Sequence, residues 1–223
     1  MEDLMPTDDH RAELMARWNA TLPQQPEVGE GLINRYSEPH RRYHGIGHLL
    51  HVLTMIDQLA DDHDLFLVRL AAWYHDAVYA IPPGQLSNEE MSARVALREL
   101  SLVGLEQEDL NQIARLIRLT ETHLPGPRDR EGELLCDADL SILGSDPADY
   151  ADYVAAVHEE YAKLPQEKFL AGRLAMLTER ADREIFRTAK GRQKLSAAAQ
   201  DNLAREITEL RDRLGIPVEG SDV

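Results

Sequence analysis

DLFLVRLAAWYHDAVY, residues 64–79, is the stretch on which the fold turns. Wound as a helix, it is apolar around most of its circumference rather than along one stripe. A helix of that kind is normally central and buried. The pattern therefore predicts a buried helix over 64–79, interrupted near its end by His75 and Asp76. Burying an unpartnered charge is expensive, so this pair needs a use. In one reading His75 bonds a carbonyl and Asp76 caps the next turn. In the other, both reach one ion beside the helix end from its two flanks, since adjacent helical residues point about 100° apart. The local pattern leaves both open.

Working outward, nearly every segment reads at helical spacing. Residues 8–20 carry a stripe of Leu14, Met15 and Trp18, with Pro23 and Pro26 ending the helix. Residues 27–37 form a short helix stopped before Pro39. RRYHGIGHLLHVL, residues 41–53, leads into a helix with His48, Val52, Met55 and Leu59 on one face. IPPGQLS, residues 81–87, is a loop. A helix restarts over 88–100, with Asn88 near the cap and Glu89 and Glu90 in its first turn. Helices follow at 106–122, 133–144, 147–162 (with Asp146 as N-cap and Pro147 at the first helical position), 166–188 and 196–214. Strand candidates are few. The expectation is one all-α domain over 1–223, a bundle of about nine to ten helices. Its core would span about 40–145, with the C-terminal helices 147–214 packed on it.

The chain has 223 residues and a formal net charge of -16. Such a charge repels nucleic acid polymers and anionic membranes unless a basic patch intervenes. Cys136 is the single cysteine, which excludes a disulfide framework or a multi-cysteine zinc cluster. No positively charged region leads into an apolar run at the N-terminus, and no apolar stretch approaches the roughly 20 residues of a membrane helix. A cytoplasmic protein is the expectation.

Two more segments place chemistry in apolar surroundings. In LLCDADLSILG, Asp137 and Asp139 are two apart and cannot share a helix face, so one suits a ligand role and the other a cap or an outer acceptor. Cys136 beside them reads as core. In the opening of the 41–53 stretch, His48 and His51 are neighbours on a helix and His44 comes from the turn before it. Imidazole and carboxylate are the ligands that borderline first-row cations accept. Four separate buried-looking segments supply them, counting His123 at the end of the 106–122 helix. Side chains converging from several helices are how a bundle builds a metal site.

In this order the residues resemble the HD superfamily of metal-dependent phosphohydrolases. His48 matches its first histidine, His75-Asp76 the pair that names it, and Asp139 its distant aspartate. YHGIGH, HDAVY, NEEMS, TETH, DADLSILG and DNLAREITEL are similar to a small bacterial subgroup described as predicted HD-type phosphohydrolases, over residues from about 12 to 212. The chain lacks the HD-x-x-E-D acid pair of alarmone hydrolases, since Ala77-Val78-Tyr79-Ala80 follow the pair. It also lacks the glycine-tyrosine-proline motif of cyclic-di-GMP hydrolases. Neither activity is implied.

The resemblance implies that His48, His75, Asp76 and Asp139 hold a divalent ion. One or two ions are expected, manganese, iron, cobalt or nickel in preference to magnesium, with zinc a further candidate. Asp76 then belongs to the catalytic set as well as to the ligands. Candidate general bases are Glu89, Glu90 and Asp137. His44 and His123 are candidates to bond the phosphate or donate a proton, and His123 also to hold a second ion. Arg41, Arg42 and Arg173 are the phosphate candidates. The substrate class is a small phosphorylated molecule, with a nucleotide as the first candidate. No aromatic residues interleave with basic ones as a nucleic-acid groove requires. The amphipathic 196–214 segment offers a homodimer surface or closes the core. Two rival readings are an iron oxygenase of HD-like fold and a non-catalytic helical interaction or regulatory protein.

Overall fold

The structure is a computed structural model that describes residues 8–61 and 64–217. The N-terminal reading for an export signal falls partly on residues 1–7, outside the described residues. Among the described residues the chain is all-helical. Ten α-helices form: α1 (Asp8–Thr21), α2 (Pro26–Tyr36), α3 (Ile46–Leu59), α4 (Phe66–Tyr74), α5 (Asn88–Leu102), α6 (Gln107–Leu119), α7 (Arg130–Asp139), α8 (Pro147–Glu160), α9 (Gln166–Ala181) and α10 (Ala189–Leu214). A 3₁₀ helix, Leu140–Gly144, follows α7. None of these helices is long and apolar enough to cross a membrane. The chain divides into two compact units, one ending at Asp139 and one beginning at Leu140.

In the first unit α3 packs on α7, α4 on α6, and α5 on α6. Trp18 of α1 meets Trp73 of α4 edge to face, with ring centroids 5.1 Å apart, and both rings are fully buried. Burying rings of this size contributes on the order of 1.5–3 kcal/mol each. Trp18 also donates its Nε1–H to the Gln25 carbonyl at 2.7 Å. Gly29 lies against that ring, and a Cβ there would come within 2.4 Å of it. Any larger residue would push α2 off α1.

Several boundaries differ from the sequence expectation; three in the first unit have a clear local reason. Pro26 opens α2 instead of terminating α1, because proline's missing N–H costs nothing in the first turn. The helix expected over 64–79 is only Phe66–Tyr74. Beyond it, backbone groups take side-chain partners. Arg41 claims the carbonyls of Asp76 and Ala77, and the Ser92 hydroxyl accepts from the Val78 N–H. Asn88, placed at the cap by its sequence position, instead brackets Ala80, accepting its N–H and donating to its carbonyl. Ser87 is the N-cap of α5, accepting from the Glu90 N–H.

In the second unit α10 packs on α9 and on the 3₁₀ helix. Asn202 of α10 donates to the carbonyls of Leu143 and Ser145, both at 3.0 Å. Asp146 caps α8 as expected, accepting from the N–H groups of Ala148 and Asp149. α9 stops at Ala181, and α10 begins at Ala189 rather than 196, with Thr188 as its N-cap. The first turns of α10 are basic and carry no apolar stripe, so periodicity alone cannot see them.

Candidate metal centre

The centre is built from three helix ends in the first unit. Gly45, the extended N-cap of α3, sits under α2, where a Cβ would stand 3.3 Å from the Tyr36 carbonyl oxygen. This close approach seats His48 in the first turn of α3, where it is 4% exposed. His75 is the residue at which α4 ends, and Asp76 follows it. Asp139 is the last residue of α7.

Their polar atoms converge. His48 Nε2 lies 3.1 Å from His75 Nε2, 3.7 Å from Asp76 Oδ2 and 3.1 Å from Asp139 Oδ1. His75 Nε2 lies 3.3 Å from Asp76 Oδ2 and 3.6 Å from Asp139 Oδ1. Metal–ligand bonds of about 2.0–2.2 Å place neighbouring ligand atoms about 2.8–3.1 Å apart at right angles and about 3.3–3.6 Å apart at the tetrahedral angle. Two imidazoles and two carboxylates also bring two negative charges, the balance a divalent ion requires. His48, His75 and Asp76 are each buried and together satisfy the geometry of a metal-holding group. The tautomer of His75 fits as well. Its Nδ1 meets the Ala72 carbonyl at 2.7 Å, and a carbonyl only accepts, so Nδ1 carries the hydrogen. With Nδ1 so engaged, Nε2 is the nitrogen that faces the cluster. The residues present fit a divalent cation.

The electrostatics agree. Burial pushes the His75 imidazole down, but Asp76 and Asp139 outweigh it and raise its pKa to about 9. For His48 burial prevails and lowers the pKa despite Asp139. Burial pushes the Asp76 carboxyl up, but His75, then His44 and His48, hold it well below the usual carboxylate range. The field inside the cluster favours positive charge.

Around it, Arg41 does not project as a phosphate arm. It is buried, and its Nη1 donates to the carbonyls of His44 (3.0 Å) and Asp76 (2.7 Å) while Nε donates to Glu38 (3.1 Å). Its guanidinium lies over the rings of Tyr36 and Tyr79. Arg41 thus ties the turn before α3 to the turn after α4. Arg42 is exposed, with Nη1 donating to the Pro39 and Arg41 carbonyls. Arg173 belongs to the second unit and is buried there in an ion pair with Glu206. Arg41 and Arg173, both expected as phosphate contacts, are each engaged in internal contacts in the structure.

The remaining candidates separate. His44 is half-buried, stacked on Tyr79 with centroids 4.3 Å apart and 5.5 Å from the His48 ring. Glu89 is half-buried. Burial raises its carboxyl, and the charges of Asp76 and Glu121 raise it further. Glu90 instead pairs with Arg118 and Arg94, which bring its pKa to about 2. A carboxyl held that low is a poor proton acceptor near neutral pH. Asp137 and Cys136 are buried within α7. His123 Nε2 meets Asp139 Oδ2 at 2.8 Å.

Tyr36 was not foreseen. Its hydroxyl accepts from the Asp76 N–H at 3.1 Å, and its ring is buried. No sequence signal marks it. His51, half-buried one turn after His48, has its pKa lowered to about 4 by burial and then by His48. The three-residue spacing from His48 was the signal available for it.

A family comparison covers this region. The sequence model of the HD domain family matches residues 45–141, which include His48, His75, Asp76, Glu89, His123 and Asp139 and exclude Arg41 and Arg42. No curated protein and no solved structure matches the chain.

Proposed function

Since the chain belongs to the HD superfamily, we infer that it is a metal-dependent phosphohydrolase acting on a small phosphorylated molecule, with a nucleotide as the first candidate. The observation that carries this reading is the meeting of His48, His75, Asp76 and Asp139 from three helix ends, with donor atoms 3.1–3.7 Å apart across the imidazole–imidazole and imidazole–carboxylate pairs.

His48, His75, Asp76 and Asp139 would hold the ion, and the mixed imidazole and carboxylate set suits manganese, iron, cobalt or nickel better than magnesium. A divalent cation there supplies Lewis acidity, lowering the pKa of a water and drawing charge from a phosphoryl oxygen. The protein's own groups supply the rest. Glu89, whose carboxyl is raised by burial, takes the proton from the attacking water. His44, beside His48 and stacked on Tyr79, donates a proton to the leaving oxygen. Arg42, exposed on the turn before α3, attracts the anionic substrate against the net charge of -16. The buried setting of His48, His75 and Asp76 keeps bulk water from competing for the same groups.

The test is phosphate release from a panel of nucleoside mono-, di- and triphosphates and sugar phosphates with added manganese, cobalt, nickel or magnesium. The expected result is metal-dependent release by the wild type, lost in Asp76→Ala. A folded, metal-loaded wild type with no turnover on any phosphoester would move the protein to the interaction or regulatory reading.

A further inference from the structure

α6 ends at Leu119, and the chain continues in turns to His123, whose N–H donates to the Leu119 carbonyl at 2.8 Å. His123 has φ +54°, the left-handed region. A helix stop of this kind usually takes glycine, sometimes asparagine, because a Cβ is disfavoured there. At the end of α10 the left-handed position is taken by glycine, the C-cap Gly215 with φ +66°. At His123 the chain keeps an imidazole and accepts the strain. Strain of this sort persists where the surrounding structure uses it.

What it gains is visible at Asp139. The His123 side chain is only 9% exposed, and its Nε2 holds Asp139 Oδ2 at 2.8 Å. The other oxygen, Oδ1, faces His48 at 3.1 Å and His75 at 3.6 Å. The carboxylate is thus divided, one oxygen fixed by His123 and one presented to the histidine pair. Asp139 is the last residue of α7, where the chain passes into the 3₁₀ helix Leu140–Gly144. With φ +54° at 123, the His123 side chain meets that terminus.

We propose that His123 is a strained positioning residue: it orients the Asp139 carboxylate for the metal without binding the metal itself. This inference rests on the metal-centre reading above. It assigns His123 a role other than second-ion ligand or phosphate donor.

The experiment compares wild type, His123→Gly, His123→Ala and Asp139→Asn. Two quantities are read: the thermal midpoint of the metal-free protein, and the affinity and stoichiometry for Mn²⁺ alone by equilibrium dialysis. Glycine and alanine both remove the imidazole, but only glycine relieves the left-handed backbone. His123→Gly is therefore expected to melt above His123→Ala. Both are expected to bind Mn²⁺ about 10–100-fold more weakly than wild type at unchanged stoichiometry, the range typical for groups that orient a ligand. Asp139→Asn is expected to lose more than either. A purely structural role would move the midpoint and leave the affinity alone, and that result overturns the proposal. A fall from two ions to one in the His123 variants would make His123 a ligand and overturn it too. A wild type that binds no Mn²⁺ sinks the metal-centre reading itself, and this proposal with it. Because neither readout requires turnover, failure of the phosphohydrolase reading leaves the result interpretable.

Discussion

Each of the two units buries a cluster of charged side chains, and the clusters are built on opposite principles. In the second unit Arg173 donates Nε and Nη2 to the two carboxylate oxygens of Glu206, the Tyr150 hydroxyl donates to Glu206, and Arg173 Nη1 donates to the Tyr153 hydroxyl. Opposite charges are paired fork to fork, and the cluster closes on itself. In the first unit two imidazole nitrogens stand 3.1 Å apart with two carboxylates on them, and among the described residues no arginine or lysine head is paired with the set. The first arrangement is complete without a ligand. The second gathers lone pairs and negative charge, which is what a cation needs. Burial of charge alone does not mark a functional site. The sign and direction of the groups do.

The contrast breaks most sharply at Asp76. Asp76→Asn keeps the side chain's shape and removes one negative charge from the cluster. Mn²⁺ affinity should fall by more than the 10–100-fold typical of an outer-shell loss, as read by equilibrium dialysis. Glu206→Ala should do the reverse. Leaving Arg173 as an uncompensated buried charge costs about 3–5 kcal/mol, seen in denaturant unfolding, with Mn²⁺ affinity unchanged. If Glu206→Ala also abolished metal binding, the separation of roles would fail.

Arg41 sharpens the comparison within the first unit. Arg41→Met removes the donors to the His44 and Asp76 carbonyls. The expected cost is about 1–3 kcal/mol in stability, together with weaker Mn²⁺ binding as the turn after α4 loosens. A rise in KM with metal affinity intact would instead restore Arg41 as a phosphate ligand. The smallest effect lies at the surface. Burial pushes Asp129 up, but Arg115 and the Gly132 N–H outweigh it and lower its pKa. A carboxylate whose folded pKa is depressed stabilises above its unfolded pKa, near 4, and loses that contribution as the pH falls through the folded value. Arg115→Ala should therefore cost a few tenths to about 1 kcal/mol at pH 7. Against wild type, that difference should shrink on acidification below pH 4 in parallel urea titrations.

The candidate ligand residues were legible because a charged residue inside an apolar run announces itself. His48, His75, Asp76 and Asp139 all sit in such runs, and the ten-helix architecture follows from the same periodicity. The supporting groups were not legible. Arg41 and Arg173 look alike in sequence, two arginines in mixed surroundings. What separates both from a phosphate arm is a partner elsewhere, the Asp76 carbonyl 35 residues on for one and Glu206 33 residues on for the other. A backbone carbonyl has no sequence signature. Nor does Tyr36, whose single hydroxyl holds the Asp76 N–H. The end of α4 was misplaced for the same reason: its apolar pattern continues past Tyr74, while side chains of Arg41 and Ser92 take the backbone groups a helix would have used. His123 was visible as a histidine near the motifs, but its left-handed backbone was not.

The most direct test of the central claim is the count of Mn²⁺ retained per chain after dialysis at neutral pH, for wild type and for Asp139→Asn. The account predicts one tightly held ion in the wild type and its loss in the variant, with both proteins folded by circular dichroism. No retained ion in the wild type, or equal retention in the two, would contradict the claim that the buried histidine–aspartate cluster is a metal centre.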